Sequence, residues 1–218
     1  VDGSLRKSIQ IADARNINMK DKFESLAAQN PAKTKEWKAK ADLLGAKSDS
    51  LYNYINDIKR YIIVVIDGEE ANIDPKKDNY LQVSEEKRGN LDITGTVGVG
   101  EVAFSCEGKT IKPVGKDLRL AVQSYRDFVK GLVTDSAKAK SIEETFATPE
   151  GRGHDGERIL WETSVFEGMP AVATLTMLSK VQNDIRNTEA EIYQYLINQI
   201  DAGDFRVNKI TAEVIPES

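Results

Sequence analysis

The 218-residue chain sets 30 Lys and Arg against 35 Asp and Glu for a net charge of −5, and 40% of its residues are apolar. That length and balance describe a folded domain with a sizeable core, not a disordered tail. Interleaved charges of both signs argue against a nucleic-acid partner, which would need a basic face. The longest apolar run, Tyr61 to Ile66, falls far short of the roughly 20 residues that span a bilayer.

Leu5, Ile9, Ala12, Asn16, Met19, Phe23 and Leu26 step by four and three in strict alternation, the seam of a heptad, with Asn16 its one polar member. Trp37, Ala41, Leu44, Ser48, Leu51, Ile55, Ile58, Ile62 and Val65 repeat the device. Between them Asn30 reads as an N-cap and Pro31 as a first helical residue, which predicts an αα-hairpin over about 1–66. The second helix, about 31 to 66, is on the order of 50 Å long at 1.5 Å per residue. Gly45 falls off this seam, where packing is not expected to matter. The run 61–66 also suits a strand, but positions 62 and 65 keep the helical phase.

From Asp67 to about Gly115 the pattern gives way to a glycine-rich loop or hairpin insertion, with candidate strands at Leu91–Val97 and Val102–Phe104. Helical phase returns with Leu118, Val122, Tyr125, Val129 and Leu132, and then with Ile142 and Phe146. A glycine loop surrounds His154. A last helix is expected from Pro170 to about Asp201, ended by Gly203 and followed over 204–218 by a strand or linker into a further, β-rich domain. The fold class is therefore mainly α: an elongated helical bundle over 1–203. The chain opens at Val1 without an initiator Met or leader and reads as a trimmed segment.

Little chemistry is encoded. Ala103 to Thr110 satisfies a loose P-loop pattern, but a phosphate cradle needs a helix beginning at its Lys-Thr, and Pro113 with Gly115 opposes one. Cys106 and His154 are single residues of their kinds and lie far apart in the chain, so neither a Cys-His pair nor a metal-ligand spacing is present. The carboxylates Glu143, Glu144, Glu189 and Glu191 read as solvated helix faces, and Trp37, Tyr125 and Phe128 as packing. We assign no catalytic residue, no cofactor and no metal. Asn16 and Ser48 are candidates for fixing register or oligomeric state, or equally for lining a locally hydrated gap in the bundle.

Three stretches carry a family resemblance: Trp161-Glu-Thr-Ser-Val-Phe-Glu-Gly-Met-Pro170, Leu178-Ser-Lys-Val-Gln-Asn-Asp-Ile-Arg186, and Arg206-Val-Asn-Lys-Ile-Thr-Ala-Glu-Val-Ile-Pro216. Together with Val1-Asp-Gly-Ser-Leu5, Ala14-Arg-Asn16 and the segment from Lys35-Glu-Trp37 to Asp57-Ile-Lys59, they resemble the GldM/PorM family of gliding-motility and type IX secretion proteins of Bacteroidetes. Residues 93–112 depart from that pattern and read as an insertion. The resemblance implies the first periplasmic domain of a homodimeric protein, anchored to the inner membrane by a transmembrane helix before Val1. It implies a ring of GldL/PorL around that helix, a motor driven by the proton-motive force, and later domains reaching a GldK/GldN (PorK/PorN) ring. Leu5, Ile9, Asn16, Met19, Phe23, Leu51, Ile55 and Ile58 then form the candidate dimer or hairpin seam, with Asn16 the expected dimer contact. The other reading is an extracytoplasmic helical ligand-binding or sensor domain, which would show a deep apolar pocket with convergent polar groups instead of a continuous core.

Overall fold

The computed structural model describes residues 2–77, 80–91, 104–106, 109–111 and 114–213, with side-chain surroundings over 3–77, 80–91 and 114–200. Its frame is three long helices: α1 (Asp2–Gln29), α2 (Pro31–Asp67) and a C-terminal α6 (Ala171–Glu213). The hairpin joint is as tight as the sequence predicts. Asn30 accepts the Lys33 backbone N–H at 3.3 Å, and Pro31 occupies the first turn, where a missing N–H costs nothing.

Tyr61–Ile66 continues α2, and its phase explains why: Ile62, Ile63 and Ile66 are buried. Gly68, at φ +62, ends the helix, its N–H returning to the Val64 carbonyl. The following loop is pinned by Asp67, whose carboxylate accepts the Ser84 N–H at 3.0 Å and hydroxyl at 2.6 Å.

A two-stranded antiparallel hairpin of β1 (Phe104–Cys106) and β2 (Lys109–Ile111) leads to α3 (Gly115–Lys130) and α4 (Ser136–Thr145). A second small hairpin, β3 (Gly151–Arg152) with β4 (Arg158–Ile159), is followed by the short α5 (Trp161–Phe166). The backbone N–H groups of Ala171 and Val172 are met by the carbonyls of Asn90 at 2.9 Å and Arg88 at 3.2 Å. The loop after α2 thereby caps the start of α6.

Pairings along the helices fix their directions. Asp13 and Asn16 meet Arg186, and Phe23 meets Tyr193, so α1 runs parallel to α6. Asp49 meets Arg186 and Lys59 meets Ser179, so α2 runs antiparallel to it. The groove of the α1–α2 hairpin is thus filled by α6, on which α1 packs more extensively than on α2. A continuous apolar core joins Phe23, Leu44, Leu51, Ile55, Ile58 and Ile62 to Leu118, Val122 and Val129 of α3 and to Leu178, Ile185, Leu196 and Ile200 of α6.

Two expectations are corrected. The chain does not turn to strand after Gly203, because α6 runs on to Glu213. The residues read as an alternating strand also continue the helical steps of four and three, through Leu196, Ile200, Gly203, Val207 and Ile210. One glycine costs a helix about 1 kcal/mol relative to alanine and does not by itself stop it. Gly45, expected off the packing surface, is buried, and a Cβ there would lie 2.7 Å from the Tyr193 hydroxyl. Candidate strand residues 92–97, 102 and 103 lie outside the described residues, and Phe104 alone of the predicted strands is seen in one.

Ile55 has no solvent exposure and sits mid-core, so Ile55→Asp buries a carboxyl without a partner. It should lower unfolding free energy by on the order of 4 kcal/mol or abolish folding, and Leu51→Asp should act likewise in urea denaturation. An unchanged midpoint for both would refute this packing.

Candidate functional site

The outstanding chemical feature lies inside the helical frame. Ser179, Gln182, Arg186, Glu189 and Tyr193 follow one another on α6 at steps of three and four, so they share a face, and that face points into the α1–α2 groove. Ser179, Gln182, Glu189 and Tyr193 are essentially without solvent exposure. Polar side chains placed there must find partners from the hairpin.

At the lower end Lys59 of α2 donates to Ser179 Oγ at 2.8 Å and Gln182 Oε1 at 3.0 Å. Gln182 in turn donates to Asn56 Oδ1 at 2.7 Å and the Tyr52 carbonyl at 3.1 Å. Next along, the Arg186 guanidinium is shared by all three helices. It meets Asp49 of α2 at 2.7 Å, Glu189 of its own helix at 2.9 Å and Asp13 of α1 at 2.9 Å. Its Cζ lies over the Tyr52 ring, 4.4 Å from the centroid. The Asp13 contact is an ion pair set off the Nε–H direction, since Nε makes no hydrogen bond.

Glu189, wholly buried, accepts from Asn16 Nδ2 at 2.9 Å and lies 3.4 Å from the Lys20 ammonium. Asn16 also donates to the Arg186 carbonyl at 3.1 Å. Burial pushes the Glu189 carboxyl above its usual range, against the pull of Arg186 and Lys20. Burial likewise raises Asp13, opposed by Arg186. For Arg186 burial works against the charge, but Asp49 and Glu189 outweigh it and raise its pKa. Tyr193 is raised by burial and by the charge of Glu189. Even so, among the described residues Asn16 Oδ1, Glu189 Oε1 and Tyr193 Oη find no hydrogen-bond partner, so this layer is less well satisfied than the lower one.

Two further polar ties close around the frame. Ser48 Oγ and Tyr125 Oη share a hydrogen bond of 2.9 Å between α2 and α3, and Arg119 of α3 holds buried Glu162 of α5 at 2.7 and 3.4 Å.

Of the candidate seam, Ile9, Phe23, Leu51, Ile55 and Ile58 are buried, while Leu5 and Met19 are half-buried. Asn16, expected as a dimer contact, is turned into its own chain and spent on α6. The reading of Glu189 as a solvated carboxylate is overturned; Glu191 and Glu143 do lie on the surface, the latter paired with Lys130. The P-loop pattern fails on backbone grounds, because Lys109–Ile111 is a strand paired with Phe104–Cys106 and opens no helix. His154 sits in the turn between β3 and β4, and among the described residues no group of three His, Cys, Asp or Glu gathers as a metal would require. The spine itself was missed, although its spacing was legible: Ser179, Gln182, Arg186, Glu189 and Tyr193 alternate three and four as strictly as any apolar seam.

Two measurements test the spine. Because the native pKa of Glu189 is raised, its ionisation opposes folding, and stability is lost as pH rises through that pKa. In thermal melts Glu189→Gln should therefore gain on the wild type from acid toward neutral pH; a constant difference would show the carboxyl titrates normally. Gly45→Ala should destabilise by about 1 kcal/mol or more through overpacking on Tyr193. The cost should shrink in a Tyr193→Phe background, where the flexible end of Lys20, 3.1 Å from the added Cβ, has to give way and the helix-propensity gain offsets it.

None of the described helices is long and apolar enough to cross a membrane. No curated protein matches the chain. The family model described as the GldM N-terminal domain matches residues 1–199, covering α1 to α5, the whole polar spine and α6 as far as Gln199. The chain therefore belongs to the GldM N-terminal domain family, a component of gliding-motility and type IX secretion machinery.

Proposed function

We propose that this domain is a non-catalytic periplasmic shaft module of a homodimeric inner-membrane motor protein. In this reading it passes force or conformational change from a membrane anchor toward an outer-membrane ring. The observation that carries the reading is the Arg186 layer, where one largely covered guanidinium binds side chains of α1, α2 and α6. Three helices of 28, 37 and 43 residues joined at their middles resist sliding in a way that apolar seams alone do not. The GldL/PorL-type partner would meet the anchor and the GldK/GldN-type ring the later domains. Residues 204–218 would connect this module to those later domains.

The alternative, a ligand-binding or sensor domain, draws support from an apolar cleft of about 580 Å³ bounded by Leu81, Val83, Met169 and Leu175. That cleft is open and brings one charged group, Arg88, to its edge, while the core beside it is continuous. The shaft reading accounts for more of the buried polar chemistry.

Light scattering on the full-length protein should return a dimer. In cells, replacing Arg186 with Ala in that protein should stop type IX secretion while the protein still accumulates and co-purifies with its inner-membrane partner. Full secretion by a protein lacking residues 1–199, or a strict monomer at high concentration, would overturn the proposal.

A further inference from the structure

The two oxygens of the Glu189 carboxylate are treated unequally. Oε2 accepts from Arg186 and from Asn16 at 2.9 Å each, while Oε1 makes no hydrogen bond among the described residues. One turn on, the Tyr193 hydroxyl is close enough to feel that carboxylate's charge, yet it too makes none among them. Both side chains are without solvent exposure. Buried polar atoms in this position need a partner, and an ordered water or an ion is the usual one.

Tyr193 forms the floor of a crevice of about 350 Å³ between α1 and α2, walled by Lys20 and Glu24 on one side and by Asp42, Gly45 and Asp49 on the other. The Lys20 ammonium stands 3.4 Å from Glu189 Oε1 and 4.0 Å from Asp49. Both separations exceed the roughly 2.7–2.9 Å of a direct charge-assisted hydrogen bond. Gly45 leaves clear the space between Lys20 and Tyr193: a Cβ there would lie 2.7 Å from the Tyr193 hydroxyl and 3.1 Å from the end of the Lys20 chain. The Lys20 side chain, 43% exposed, is the flexible wall through which solvent reaches this point.

The groups that face this space are of mixed kind. The Lys20 ammonium can only donate, the Glu189 carboxylate can only accept, and the Tyr193 hydroxyl can do either. A metal cation would be repelled by Lys20, and an anion by Glu24, Asp42, Asp49 and Glu189. We propose that the site binds a single ordered water, which accepts from Lys20, donates to Glu189 Oε1 and shares a hydrogen bond with Tyr193 Oη. At this point α1 is joined to α6 through the water, beside its direct ion pair from Asp13 to Arg186. Gly45 is then a binding residue as well as a packing one, because it keeps the water's seat clear. The site follows from the geometry of the layer whether or not the domain serves as a shaft.

High-resolution crystal structures of the 218-residue chain and of its Gly45→Ala variant test this. The wild type should show one water peak within about 3.2 Å of Lys20 Nζ, Glu189 Oε1 and Tyr193 Oη, and Gly45→Ala should lose it. In solution, oxygen-17 relaxation dispersion counts long-lived internal waters, and Gly45→Ala should lower that count by one. A Gly45→Ala chain that does not fold leaves the wild-type peak and the wild-type dispersion to decide alone. Lys20 donating directly to Glu189 Oε1, with no peak between the three groups, overturns the proposal. So do contacts of about 2.4 Å to the peak, which mark a metal ion, a wild-type chain without any long-lived water, and a count that Gly45→Ala leaves unchanged.

Discussion

Everything in this fold is arranged around a guanidinium that has been taken largely out of water. Removing a charge from water costs several kcal/mol unless it is paired, and Arg186 is paired with a carboxylate from each of α1, α2 and α6 and lies over the ring of Tyr52. Those partners coincide at only one relative placement of the three helices. Apolar seams with a seven-residue repeat pack almost equally well when displaced by a whole repeat. The charged layer removes that degeneracy, so it sets where the helices sit more than how tightly they hold.

The surrounding elements depend on that placement. Gly45 lets α2 approach Tyr193 closely, since any side chain there would strike the hydroxyl. α3 is drawn to α2 by Ser48 and Tyr125, and α5 to α3 by Arg119 and Glu162. The loop after α2 is fastened through Asp67 and in turn caps α6. Each joint pairs a polar group the core could not otherwise tolerate with a partner from a different element, which makes assembly an ordered set of matches instead of a general collapse.

The long helices were legible because amphipathic period, N-cap and proline all agree at Asn30 and Pro31. The fold class followed. Two errors share one cause: sequence patterning ranks residues by polarity, and here polarity and burial part company. Glu189 and Gln182 look like surface residues until one sees that Arg186, Asn16 and Lys59 arrive from other turns and helices to satisfy them. Gly45 looks inert because the absence of a side chain carries no sign of what lies opposite. The third error, the strand after Gly203, is a periodicity ambiguity: Phe205 and Val207 satisfy a period of two, while Val207 and Ile210 also satisfy the helix that in fact continues. The polar spacing on α6 held the missing signal, and reading it required treating polar residues as a seam.

The tight turn at Asn30 has a mechanical meaning. Since α1 and α6 run one way and α2 the other, a push along α1 reaches Asn30 and returns down α2 as a pull, while α6 beside them receives shear from both. That couple is opposed at mid-length by ionic bonds from one residue to each neighbour. The domain thus behaves as a folded spring leaf riveted at its centre and stiff against displacement along its axis.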